Sequence, residues 1–197
     1  YKVTGVQTCA LPIFGYELYQ SMLEETISKI RGGQIDVLTS MDNQWSPQIN
    51  LGVSVLIPET YVSDLDVRLG LYRRLSNLNK KVEFEGFAAE LIDRFGKLPS
   101  EVNTLLLVVR IKSVCKKAGI GKLDGGPKGA TVQFYNDKFI SPEGLVEFIK
   151  NQNGTAKIKD NKLIIRRDWK KNSDKFKGAF TIARDLAEIA VSFEKNI

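Results

Sequence analysis

A chain of 197 residues has room for one ordinary domain plus an extension, and with 43% hydrophobic and 26% charged residues it has the balance of a globular chain that buries a core, which excludes disorder throughout. The formal net charge of +6 permits contact with nucleic acid or another acidic surface, although ordinary surface lysine gives the same excess. Histidine is absent, which argues against zinc and Ser-His chemistry, and the only cysteines, Cys9 and Cys115, imply no disulfide framework. No apolar run reaches about 18 residues and no secretory leader is recognisable, so the chain reads as cytoplasmic, with no membrane partner.

Residues 1–14, YKVTGVQTCALPIF, have no helical or strand periodicity and are read as an artefactual leader, outside the fold. Tyr16, Tyr19, Met22, Leu23, Ile27 and Ile30 then form one stripe at helical spacing, stopped by Gly32 and Gly33. Residues 34–48 are mixed and polar without a period, an interdomain linker in which Trp45 is the candidate anchor. Asn50 to Ile57 is rich in branched residues and bounded by Pro58, which predicts a buried strand with a bulge or close approach at Gly52.

Ser63, with Asp66 three residues on, predicts a capped helix whose stripe is Leu65, Leu69, Tyr72, Leu75 and Leu78. Arg68, Arg73 and Arg74 fall on its polar side as a solvated face. In the next helix, Phe84, Phe87, Ala88, Leu91, Ile92 and Phe95 share the core face and Gly96 is the stop. Glu83, Gly86, Glu90, Asp93 and Arg94 project on the other side, where Glu90 and Arg94 stand at i, i+4 spacing. An exposed pair contributes only about 0.3 to 0.5 kcal/mol, so Glu90→Ala is expected to leave stability nearly unchanged. Pro99 opens a further helix to Gly119 in which Leu105 to Val109 is apolar on every side, the expected deepest element.

GIGKLDGGPKGA, residues 119–130, lacks the GxxxxGK[ST] spacing of a phosphate loop and reads as a short strand over Ile120 to Leu123 followed by turns. Thr131 to Tyr135 is a further strand, and Ser141 with Pro142 caps a helix over Glu143 to Asn151. Thr155 to Lys159 and Lys162 to Arg167 flank Asp160-Asn161, residue types that accept the positive φ of a hairpin turn. Arg166, Arg167, Trp169, Lys170 and Lys171 are the most basic stretch, with one aromatic among the charges. Ser173 starts the last helix, with a stripe of Phe176, Ala179, Phe180, Ala183, Leu186, Ala187, Ala190 and Phe193. This order of elements predicts an α+β domain, a small mixed β-sheet covered by several α-helices.

Several of these segments in order, IPETYV (Ile57 to Val62), RLGLYRRLSN (Arg68 to Asn77), ELIDRFGKLP (Glu90 to Pro99) and GIGKLDGG, resemble the C-terminal domain of bacterial transcription-repair coupling factors, over roughly Ile49 to Ile197. GYELYQSMLEETI, from Gly15, resembles the helix that follows their translocase motor. The resemblance implies a division into a motor remnant at 15–33, the linker at 34–48 and a C-terminal regulatory domain at 49–197. It also implies that the chain is a fragment without catalytic residues, ATP and magnesium belonging to absent motor domains.

In that family the domain folds back on an N-terminal module resembling UvrB and hides the surface that recruits UvrA, while the whole protein engages DNA and stalled RNA polymerase. Its interdomain contacts include the Glu, Asp and Arg of ELIDR, which are Glu90, Asp93 and Arg94 here. The alternative expectation is a stand-alone nucleic-acid binder using Arg166, Arg167, Lys170 and Lys171. An enzymatic reading finds no Walker loop, no metal-ligand cluster and no nucleophile with a histidine base.

Overall fold

The structure, a computed structural model, describes residues 45–53 and 55–194. The expected leader at 1–14, the helix at 15–33 and the linker up to residue 44 lie outside the described residues. What is described is an α+β fold with five helices on a mixed five-stranded sheet.

In chain order the elements are β1 (Gln48–Asn50), α1 (Leu65–Ser76), α2 (Lys81–Phe95), α3 (Ser100–Lys117), β2 (Ile120–Gly126), β3 (Gly129–Phe134), α4 (Pro142–Asn151), β4 (Ala156–Lys159), β5 (Lys162–Arg166) and α5 (Asn172–Glu194). The strand order is β1-β2-β3-β5-β4, with β1 parallel to β2 and every other pair antiparallel. Side chains alternate between sheet faces, so one face collects Ile120, Leu123, Val132, Phe134, Leu163, Ile165 and Ala156, all buried. Against that face lie α3 and α5, packed on each other, and α4 packs on α5 and β4.

Local chemistry sets most boundaries. The β4–β5 hairpin turns at Asp160 and Asn161, with φ of 52° and 57°, as their residue types predict. Ser141 caps α4 by accepting from the Gly144 N–H at 3.2 Å. The α5 stripe is nearly seamless: Ala179, Ala183 and Leu186 are fully buried, because alanines let the helix approach α3 closely. Cys115 is buried in α3, and burial pushes its thiol up to about 12, which leaves it inert.

Four expectations change. The strand read over Asn50 to Ile57 pairs only over Gln48–Asn50, because Gly52 turns at φ 68° and donates to the Asn50 side chain, taking the chain off the sheet edge while Leu51, Val55 and Ile57 stay buried. Asp64, not Ser63, caps α1, accepting from Val67 N–H at 2.9 Å; Leu65 faces out and Leu71 faces in. The glycine-rich segment is not a short strand with turns, for β2 runs through Gly126 and the turn is Pro127-Lys128, with Gly121 the extra residue of a bulge. Finally, α3 is not covered on every side, since Leu107 is 45% exposed where neither the sheet, α5 nor the α1–α2 pair reaches.

The residues before the first strand are packed as well. Trp45 stacks on Tyr135 with ring centroids 4.3 Å apart and planes 12° from parallel, and Pro47 is fully buried.

Candidate functional site

The helix α2 begins one turn earlier than its apolar stripe predicts, at Lys81, because the Glu83 carboxylate folds back to accept from the Asn79 and Lys80 N–H groups at 2.8 and 3.0 Å. Those two backbone bonds hold its carboxyl below the usual carboxylate range. Gly96 ends the helix at φ 86°, as its position predicts.

The inward face is narrower than expected. Phe84, Phe87 and Leu91 are buried, Ala88 and Phe95 are half-buried, and Ile92 is 50% exposed. Nearly three turns before it, Val82 is 76% exposed, and Gly86 and Ala89 lie between them at helical spacing. A Cβ at Gly86 would meet nothing within 4 Å. The outward strip of α2 is therefore Val82, Gly86, Ala89 and Ile92, low in relief and interrupted by Glu85, which pairs with Lys81 at 3.4 Å; periodicity missed it by assigning Ile92 to the core.

Charges border the strip. Glu90 takes both arms of Arg74 from α1, at 2.7 and 2.6 Å, and also Arg94 at 3.2 Å. The Arg74 fork, then Arg94, holds the Glu90 carboxyl down to about 2. Each guanidinium also rides over an aromatic ring, Arg74 over Phe87 at 5.3 Å and Arg94 over Phe95 at 4.9 Å. Asp93, the third candidate, is exposed and makes no ion pair or hydrogen bond among the described residues.

The motif segments converge here. Tyr61, in the IPETYV segment, places its hydroxyl 3.0 Å from the Leu91 carbonyl and 2.9 Å from that of Gly96, so it donates at the end of α2. The Tyr72 hydroxyl accepts from the Ile57 N–H at 2.6 Å, and Arg68 donates to the Val62 carbonyl at 2.8 Å. Three stretches read separately in the sequence are one hydrogen-bonded unit that fixes α2 against α1.

The basic segment after β5 is not the continuous patch its composition suggests. Arg167 is committed to the Thr155 hydroxyl, the Gln152 side chain and the Arg166 carbonyl, and Lys170 pairs with Asp168 at 3.4 Å. Trp169 is 5% exposed, with its indole against Gly178 of α5, and is therefore a core residue rather than a stacking platform. Arg166 and Lys171 are exposed. Among the described residues no group of three or more Cys, Asp or Glu is placed to hold a metal ion, and no helix is long and apolar enough to cross a membrane.

Comparison with known proteins bears on this geometry. The TRCF domain family matches residues 51–145, which contain α1, α2 and their hydrogen-bonded unit. The transcription-repair-coupling factor of Rickettsia bellii is 46% identical over 151 residues, 76% of this chain and 13% of that protein. That of Escherichia coli is 30% identical over 146 residues, again 13% of its length, so the chain spans about an eighth of these relatives. A solved C-terminal domain of transcription-repair coupling factor matches in fold with a TM-score of 0.63 at 23% identity, over 78% of this chain and 99% of that one. In sequence over residues 51–145 and in fold over most of its length, the chain is therefore similar to the C-terminal domain of transcription-repair coupling factors.

Proposed function

We propose that this domain is an autoinhibitory interaction module: the outward face of α2 docks on the UvrB-like N-terminal module of the same protein and covers the surface to which UvrA binds. The observation that carries the reading is the pairing of two exposed apolar side chains, Val82 and Ile92, with an unpartnered acid, Asp93, on a helix fixed to its domain by the Arg74–Glu90 fork. In this arrangement Glu90 is an internal brace rather than a direct contact. It pre-orders Arg74 and Arg94 on a rigid element, so docking loses little side-chain entropy. Asp93 meets a basic group of the partner, and Arg94, which uses only one bond to Glu90, keeps donors for a partner carboxylate. The strip is small, which suits a tethered contact that forms through high effective concentration and opens when the parent translocase engages stalled RNA polymerase.

The fragment supplies regulation, and the chemistry of the whole protein, ATP hydrolysis with magnesium and movement on DNA, belongs to its other domains. The test is binding of the 197-residue chain to the purified UvrB-like module, measured by calorimetry, with and without Asp93→Ala and Ile92→Ser. Loss of binding with an unchanged melting curve is the expected outcome. Undiminished binding by the double variant sinks the assignment of this face.

A further inference from the structure

The second face of the sheet is covered by no described helix, since α3, α4 and α5 all lie on the other side. An antiparallel sheet commonly presents one polar face to water. This one is polar in an unusual way. Strand pairing places Lys159 opposite Lys162, Lys162 opposite Gln133, Gln133 opposite Lys122 and Lys122 opposite Gln48, one row across all five strands. At about 4.8 Å per strand the row is about 19 Å long. The next row holds Lys157, Ile164, Thr131, Asp124 and Asn50, and the third holds Arg166 beside Gly129 and Gly126.

Five cations in these rows thus stand against one acid in the rows, Asp124, which is spent on Lys122 at 3.3 Å; Asp137, just past β3, accepts from the Gln133 side chain at 3.2 Å. Lys157, Lys159, Lys162 and Arg166 are exposed and their side chains have no ion-pair partner among the described residues; Asp160, in the adjoining turn, pairs with none of them. Elsewhere Arg74, Arg94, Lys81, Arg184 and Lys170 each have a carboxylate. Like charges directly opposite each other weaken a sheet, so Lys159 facing Lys162 is a cost that a merely solvated surface does not require. Beside the third row, Gly126 and Gly129 add no side chain, which leaves a depression of about 570 Å³ lined by Thr131 and Ile164, with Lys128 and Arg166 at its rim. Gly129 cannot be otherwise: its φ is 119°, and a Cβ there would sit 2.0 Å from the Ile165 carbonyl oxygen.

We infer that this open face binds the phosphate backbone of duplex nucleic acid without reading its sequence. Flexible lysines in rows match a line of phosphates, and the three rows hold no aromatic residue on which a base could stack. An anionic lipid surface fits less well, because the rows carry no projecting apolar side chain to enter it. The surface lies behind the helices, so it remains open when α2 is docked, and it replaces the broken patch at Arg167 to Lys171 as the basic feature of the chain.

The experiment is anisotropy of a short fluorescein-labelled duplex titrated with the 197-residue chain from about 50 to 200 mM salt, a range over which phosphate-dominated binding weakens steeply. Changing Lys157, Lys159 and Lys162 together to Gln is expected to weaken binding at least about tenfold and to reduce the log–log salt slope by about 2.7, roughly 0.9 per phosphate contact. Lys170, Lys171 and Lys177 changed to Gln remove the same charge elsewhere and should leave the slope unchanged. Acetylation footprinting of the unaltered chain gives a readout independent of variant folding, with the duplex expected to shield Lys157, Lys159 and Lys162 but not Lys170. Equal losses from the two triple variants, no shielding, tighter binding to vesicles of anionic lipid than to duplex, or no duplex binding at about 100 μM at the lowest salt would each overturn the inference.

Discussion

The sheet with α3 and α5, and the α1–α2 pair beside it, are held together by different means. In the first, Leu105, Cys115, Ile120, Leu123, Val132, Ala183 and Leu186 have no measurable exposure, and stability comes from close-packed apolar surface. In the second, Leu75 and Leu91 are as deeply buried but Leu69, Tyr72, Phe84 and Phe87 less completely, and polar ties are conspicuous: the Tyr61 and Tyr72 hydroxyls, Arg68 on a carbonyl, and the Arg74–Glu90 fork. The difference separates scaffold from presentation. A core can be dense where nothing must be shown, whereas a helix that keeps one side bare for a partner has fewer directions in which to bury itself and relies on specific bonds for its position.

The largest effect should come from the scaffold. Leu186→Ala removes a fully buried side chain between α5 and the sheet and is expected to cost about 3 to 5 kcal/mol by denaturant unfolding, near the limit of what a domain of this size survives. Phe87→Ala should cost about 3 kcal/mol, with hydrogen exchange accelerated first over α1 and α2 while sheet amides stay protected. If both regions lose protection together, they form one cooperative unit and the contrast fails.

Glu90→Ala comes next, at about 1 kcal/mol after allowance for solvent screening, because it releases Arg74 as well as Arg94. This revises the near-zero effect that an i, i+4 pair alone implies. The carboxyl sits at about 2 against an ordinary 4.5, so its contribution is whole above the ordinary value and is lost as pH falls from 4.5 toward 2. Melting curves of the native chain and Glu90→Gln should therefore converge over that acid range; a constant gap would locate the cost in shape rather than charge. The smallest effect is Val82→Ser with Ile92→Ser, expected within about 0.5 kcal/mol of the native chain, a result that marks the strip as free for docking.

Elements fixed by local chemistry were legible in the sequence. The Asp160-Asn161 hairpin, the Ser141 cap, the Gly96 stop and the α5 stripe depend on residues within one or two turns of each other, and each appears where its residues indicate. What could not be read was long-range. Arg74 and Glu90 are sixteen positions apart, and nothing in either helix names the other as its partner. Ile92 looks like core by spacing, yet core needs an opposing surface, and α2 has one on a single side. Trp169 among lysines resembles a binding aromatic by composition, and only the absent side chain of Gly178 discloses its pocket. The rows on the open sheet face were invisible for the same reason, being a property of register across five strands.

The edge strand β1 has a consequence for the order in which the fold assembles. Gln48 pairs with Lys122, on a strand that leaves the ribosome only after α1, α2 and α3 have been made. Closing so long a loop is slow compared with forming the β4–β5 hairpin or a single helix. Among the described strands, β1 is synthesised first and is thus expected to be among the last to pair, and until then the edge of β2 stands open to other chains. The Trp45–Tyr135 stack and buried Pro47, which immediately precede the strand that closes that edge, make the entry to the domain a late latch on its folding.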